Sequence, residues 1–302
     1  MDQLQSTQVP FIPITEDQKL EKSKEIINRL KETDDYTTLE CTVNLKALWT
    51  FTIDEKSENK IAHRNYIDGL VSHFTMELYE KIWKQLFPLD TCLSNGEPNI
   101  AFCKNLKYCV LIGVNCTTIE SKFAKVLADS NMMKLYIKGL QHPKLLEATQ
   151  VDVYSLSLGI VTTFFNLLYR DIPGSRNTLR ELGGVQTLIP YLKEGQQRLF
   201  KPIVLGTLAR LVDDKEMADV LRADKNAVRL LCDILSECLK TPEHVAIVDG
   251  LSWAADVTIS TLNLLLVIEL NAVRTKKAIH FLVLVIKMIS INILRFQGQN
   301  FY

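Results

Sequence analysis

The chain has no Cys-x-x-Cys pair, no glycine-rich phosphate loop followed by Lys-Ser or Lys-Thr, no dinucleotide fingerprint and no nucleophile elbow. Those absences remove the motif-borne routes to redox, nucleotide and acyl-transfer chemistry, and the sequence calls for no cofactor. Its five histidines, His63, His73, His142, His244 and His280, stand singly, never three or four apart, so no helix face offers a ready metal site. Net charge is absent too: 35 basic residues balance 35 acidic ones. A neutral chain is a poor candidate for wrapping nucleic acid or for an anionic membrane surface. The amino-terminal stretch MDQLQSTQVPFIPITEDQ lacks a basic start and an apolar core, and therefore does not read as a secretory signal. With Pro10 and Pro13 it reads as an arm over 1–15, and the cytoplasm is the expected compartment. The seven cysteines, an odd number, read as small buried hydrophobes of a reducing compartment.

What is present is a recurrent pattern. In GGVQTLIPYL, Val185, Leu188, Ile189 and Leu192 stand at i, i+3, i+4 and i+7, one stripe of a helix. Gly183 lies two places before that stripe and Leu179 six places before it. The same frame fits Ile67, Leu70, Val71 and Phe74 after Asn65 and Ile61, and Met133, Tyr136, Ile137 and Leu140 after Asn131 and Leu127. It fits again at Val228, Leu231, Cys232 and Leu235 after Asn226, with Leu221 one place off. The slot filled by Asn, Asn, Gly and Asn is expected to be a left-handed corner between two helices. The frame starts at residues 67, 133, 185 and 228 are 66, 52 and 43 positions apart, and the shortest spacing lies within the period of armadillo and HEAT repeats.

Around these frames the sequence predicts a polar helix over 16–31, an apolar one over 41–53, and a long one from residue 61 to 87. The stretch PLDTCLSNGEPN (88–99) has loop composition, after which helices are expected over 101–115 and 119–128. Gln141-His142-Pro143 breaks the next element. VDVYSLSLGIVTTFFNLLY (151–169) approaches the length of a membrane span, but Asp152, Ser155, Ser157, Thr162, Thr163 and Asn166 mark it as a buried helix of a helical array. DIPGS (171–175) is a turn, 202–212 a helix with Pro in its first turn, and Asp213-Asp214 an acidic turn; residues 243–270 are again helical.

The strings LKALWTFTIDEKSENKIAHRNYIDGLV (45–71), VTTFFNLLYRDIPGSRNTLRELGGVQTLIPYL (161–192) and LGTLARLVDDKEMADVLRADKNAVRLLCDIL (205–235) resemble armadillo repeats, with degenerate copies. The resemblance runs over about 41–279 and is closest in 155–240. It implies an all-α, right-handed α-solenoid over 16–279, whose third helices line a groove for an extended segment of a protein partner. It also implies that an Asn of the third helix clamps the backbone of that segment. By register Asn115 and Asn166 take that place, and Arg210 falls there or one position away. Near Thr50 and Phe51 there is no Asn, so the ladder with which import receptors hold basic peptides is broken. The expectation is a non-catalytic binding scaffold. The alternative is a co-chaperone or assembly factor similar to myosin chaperones or to factors of ciliary dynein-arm assembly. Past residue 279 the register stops: the corner would fall near Val283, within AIHFLVLVIKMISINILRF, where no Gly or Asn permits a turn, and 280–302 reads as an apolar tail or imperfect cap.

Overall fold

The computed structural model describes residues 15–53, 60–87, 100–119, 121–146, 151–192 and 200–240, with Leu264 and Val267. Among the described residues every regular element is helical and none is a strand. The helices are α1 (Glu16–Glu32), α2 (Leu39–Thr52), α3 (Lys60–Leu70), α4 (Met76–Leu86), α5 (Ile100–Thr117), α6 (Lys122–Ala128) and α7 (Met132–Leu140). They continue with α8 (Pro143–Leu146), α9 (Val151–Tyr169), α10 (Ser175–Glu181), α11 (Gly184–Leu188) with a 3-10 turn over Ile189–Leu192, α12 (Phe200–Leu211), α13 (Lys215–Ala223) and α14 (Lys225–Lys240). No described helix is long and apolar enough to cross a membrane. The expected arm, the loop at 88–99, most of the helix at 243–270 and the tail at 280–302 lie outside the described residues.

The chain forms two compact units, one of residues 1–132 and 149–159, the other of 133–148 and 160–302. In the first, α2 lies along α5, α1 packs on α2 and α3, and α4 and α6 pack on α5. Its core holds Trp83, Tyr79, Phe74 and Phe123, all without solvent exposure. Polar anchors fix the helix ends. Thr15 and Gln18 form a reciprocal capping box on α1, while Thr38, Thr75 and Ser121 accept backbone N–H groups at the starts of α2, α4 and α6. Buried Asn105 of α5 donates through Nδ2 to the carbonyls of Tyr36 at 2.7 Å and Thr38 at 3.2 Å, tying α5 to the α1–α2 connection. In the second unit α11 and its 3-10 turn sit among α10, α12, α13 and α14. The buried Tyr191 hydroxyl donates to the carbonyl of Leu140 at 2.7 Å.

The frame holds best where it is tightest. Val185, Leu188, Ile189 and Leu192 are all buried, as are Met133, Tyr136, Ile137 and Leu140. Gly183 is left-handed, with φ +75°. A Cβ on the next residue, Gly184, would stand 2.8 Å from the carbonyl oxygen of Leu179. One glycine supplies the bend and the other the close approach.

Elsewhere the expectation is corrected. Asp171 is the only described non-glycine residue with positive φ, so Asn65, Asn131 and Asn226 are not left-handed corners. Asn65 lies within α3 and Asn226 within α14; Asn131 adjoins the start of α7, where its amide donates to Glu80 at 3.3 Å. At the starts of α7 and α14 the accepting side chains are those of Ser130, which takes the N–H of Met132 at 3.2 Å, and Asp224, which takes those of Asn226 and Ala227 at 2.9 and 3.2 Å. Ile61 is 74% exposed and fills no early apolar slot. The expected 61–87 helix is two helices, because Val71–Phe74 turn and Thr75 caps α4. In α14 the buried stripe is Ala227, Leu231 and Ile234, which turns Cys232 outward. Cys232 is thus not a buried hydrophobe, unlike Cys41, Cys109 and Cys116. Burial pushes the thiols of Cys109 and Cys116 well above the ordinary range, which keeps them protonated and inert. On α2, expected as an apolar helix over 41–53, Val43 faces solvent.

Candidate functional site

Helix α9 ends in a Schellman turn: the N–H of Ile172 bonds the carbonyl of Leu167 and that of Asp171 bonds Leu168. Asp171, with φ +48°, takes the left-handed place usually filled by glycine, and Ile172 folds back into the core. This abrupt stop fixes the orientation of the last turn of α9, which carries Phe165, Asn166 and Tyr169. Phe165 and Tyr169, at i and i+4, stack with centroids 5.7 Å apart and planes 18° from parallel.

Arg210 of α12 lies across both rings, its guanidinium carbon 4.9 Å from the Phe165 centroid and 5.0 Å from that of Tyr169. It donates one hydrogen bond, from an Nη to the carbonyl of Gly206 one turn back at 3.1 Å. Gly206 makes the assembly possible, since a Cβ there would come within 2.8 Å of the Phe165 ring. Arg170 places a second guanidinium 5.5 Å from the Tyr169 centroid. Tyr169 is 55% exposed, while Phe165, Asn166 and Arg210 are half-buried, so the stack is a rigid, partly solvated platform.

Of the three residues selected from sequence, Asn166 and Arg210 belong to this platform, Asn166 by its place in the chain between the two stacked rings. Asn115 sits on α5, where its amide Nδ2 donates to Thr52 Oγ1 at 3.0 Å. The Thr52 hydroxyl in turn donates to the carbonyl of Trp49 at 2.7 Å. One Asn115 N–H is therefore committed to holding α5 on α2. Beside it, Trp49 of α2 and Tyr108 of α5 pack with centroids 5.4 Å apart. The aromatic pair at 165 and 169 escaped sequence reading, although its i, i+4 spacing on either side of Asn166 was the available signal.

A separate polar cluster joins the end of α12 to the start of α13. Arg180 of α10 donates through Nε and an Nη to the carbonyl of Leu211, the last residue of α12, at 2.9 and 2.6 Å. It also binds Asp214 at 2.9 Å and pairs with Asp213, which Arg176 shares. Asp214 caps α13 by accepting the N–H of Met217 at 3.0 Å. That N–H, together with the Arg180 guanidinium, holds the Asp214 carboxyl below its ordinary value. A cation at one helix end and an anion at the next start both match the helix dipoles. Close by, a cavity of ≈ 250 Å³ is lined by Leu168, Asp171, Ser175 and Arg176; its guanidinium is engaged by Asp171 at 3.5 Å and by Asp213.

Among the described residues no cluster of three His, Cys, Asp or Glu side chains could hold a metal ion. His63 is buried in α3, its ring 6.1 Å from that of Tyr66.

No family model matches the chain, and no curated protein matches it. Among solved structures it is similar to an engineered protein with 14% sequence identity and a TM-score of 0.41, over 85% of this chain and 92% of that one. A likeness that weak bears on neither architecture nor activity, which rest on the chain's own residues.

Proposed function

We propose that the chain is a non-catalytic protein-binding scaffold, a right-handed α-solenoid of degenerate armadillo-like repeats that takes an extended segment of a protein partner along a groove. In this reading α2, α5, α9 and α12 are the third helices of successive repeats. The observation that carries it is the half-exposed stack of Arg210 on Phe165 and Tyr169, with Asn166 between the two rings in sequence. Such a surface suits an extended chain for a chemical reason. An Asn amide offers a donor and an acceptor to a peptide backbone whatever its side chains, and flat rings offer apolar area with little entropy to lose. Asn115 commits one N–H to Thr52 and keeps its other amide groups, and in this reading Asn115 and Asn166 make the main contacts, with Arg210 weaker.

The test is capture of a partner with the intact chain, followed by affinity measurements on Asn166→Ala and Asn115→Ala proteins whose melting curves match the wild type. Loss of about tenfold at Asn166 is expected, the worth of one backbone clamp. Wild-type affinity in both variants would remove the groove contacts, and turnover of a substrate would remove the scaffold reading.

A further inference from the structure

Arginines in this part of the chain are sharply divided by their partners. Arg176 and Arg180 are saturated by Asp171, Asp213, Asp214 and the carbonyl of Leu211. Arg210 has no carboxylate partner among the described residues. Its interactions are the two ring faces and one hydrogen bond, from an Nη to the Gly206 carbonyl. A guanidinium carries five N–H donors in a planar fork. The rings satisfy its faces and leave the edge of that fork, which is the part that binds a carboxylate through two parallel hydrogen bonds. The stack also immobilises the side chain in advance, removing much of the entropy that an arginine loses on pairing. The neighbouring Asp171 is turned to Arg176 at 3.5 Å.

We infer that Arg210, braced on Phe165 and Tyr169, receives a carboxylate side chain of the bound segment, so that the extended peptide taken by this surface is acidic. The inference rests on the groove reading above and adds the chemistry of its occupant. Charge complementarity selects that occupant: a basic segment would meet the like charge of Arg210, and an uncharged one would leave the guanidinium edge without an ionic partner.

The experiment is selection of a displayed library of random 16-residue peptides on the full chain, repeated on Arg210→Gln and Arg210→Lys proteins. Expected is enrichment of Asp or Glu at one fixed position in peptides retained by the wild type. Replacing that residue with Asn or Gln in a synthetic copy should weaken binding on the order of tenfold or more. The preference should vanish on Arg210→Gln and be reduced on Arg210→Lys, which keeps the charge but not the planar fork. Retained peptides without acidic enrichment would overturn the inference while leaving the groove reading standing. Acidic enrichment that persists on Arg210→Gln would overturn the assignment to Arg210. If no peptide is retained, the groove reading itself fails and the inference with it. The wild-type selection decides the acidic preference even where a variant folds poorly.

Discussion

The ring of Phe165 occupies the space where a side chain on Gly206 would begin: a Cβ there would stand 2.8 Å from one ring carbon and 3.3 Å from another. The α9–α12 approach therefore depends on a hydrogen atom at residue 206. For Gly206→Ala, the helix-propensity gain of about 1 kcal/mol offsets part of the overpacking cost of about 1–3 kcal/mol. Thermal stability should fall only slightly, while the Phe165 ring is displaced and the Arg210 stack lost. Comparing the melting curve with binding of peptides retained by the wild type separates the two effects; retained affinity would show the stack to be dispensable.

Gly159 is the contrasting case. A Cβ there would lie 2.5 Å from a methyl of Val110, which is fully buried and short-branched and has no room to withdraw. Gly159→Ala should destabilise by about 1–3 kcal/mol despite its better helix propensity. A denaturant midpoint at or above wild type would contradict this packing.

Arg180→Ala should cost about 1–3 kcal/mol, chiefly because it strips the terminal carbonyl of α12; it also takes the cation from Asp214 and leaves Asp213 to Arg176. The pH dependence has a definite sign. Asp214 is depressed below its ordinary value of 3.8, chiefly by the Met217 N–H, so its contribution is present above that value. It is lost as pH falls through the lower folded value. Asp214→Asn keeps a capping acceptor but not the charge, and should flatten the loss of stability below about pH 4. Acid melting curves that superimpose would contradict the assignment.

The two kinds of corner residue should behave differently. Gly183→Ala forces an L-residue to φ +75° and should cost about 1–2 kcal/mol. Asn131→Ala removes only an exposed 3.3 Å hydrogen bond to Glu80 and should change stability by less than about 0.5 kcal/mol. Thermal melting of both checks the contrast.

That contrast also shows how far the sequence could be read. Helical periodicity placed α9 at its observed limits and the Val185 and Met133 stripes in the core, since burial on one face is a local pattern. The corner slot was legible at Gly183, where only one residue type is comfortable. It was not legible at Asn65, Asn131 or Asn226, because Asn serves caps, turns and exposed helix positions alike. The α14 stripe could be assigned to two neighbouring faces, and only packing against the rest of the second unit selects Ala227, Leu231 and Ile234. Register placed Asn166 and Arg210 on the two helices that carry the aromatic stack. The Phe165–Tyr169 pair had a local signal in its i, i+4 spacing, but the Arg210 stack on it and the Arg180 cluster that ties α10 to the α12–α13 corner depend on residues 31 to 45 positions apart and leave no local trace.

The central claim is that an extended segment lies over the Phe165–Tyr169–Arg210 platform. The most direct test replaces Tyr169, and in a separate protein Asp219 on α13, with the photo-crosslinking residue p-benzoylphenylalanine. Each protein is then irradiated with peptides retained by the wild type. Adducts at position 169 and not at 219 are the expected result. Adducts at 219 as abundant as at 169, or none at 169, would contradict the account.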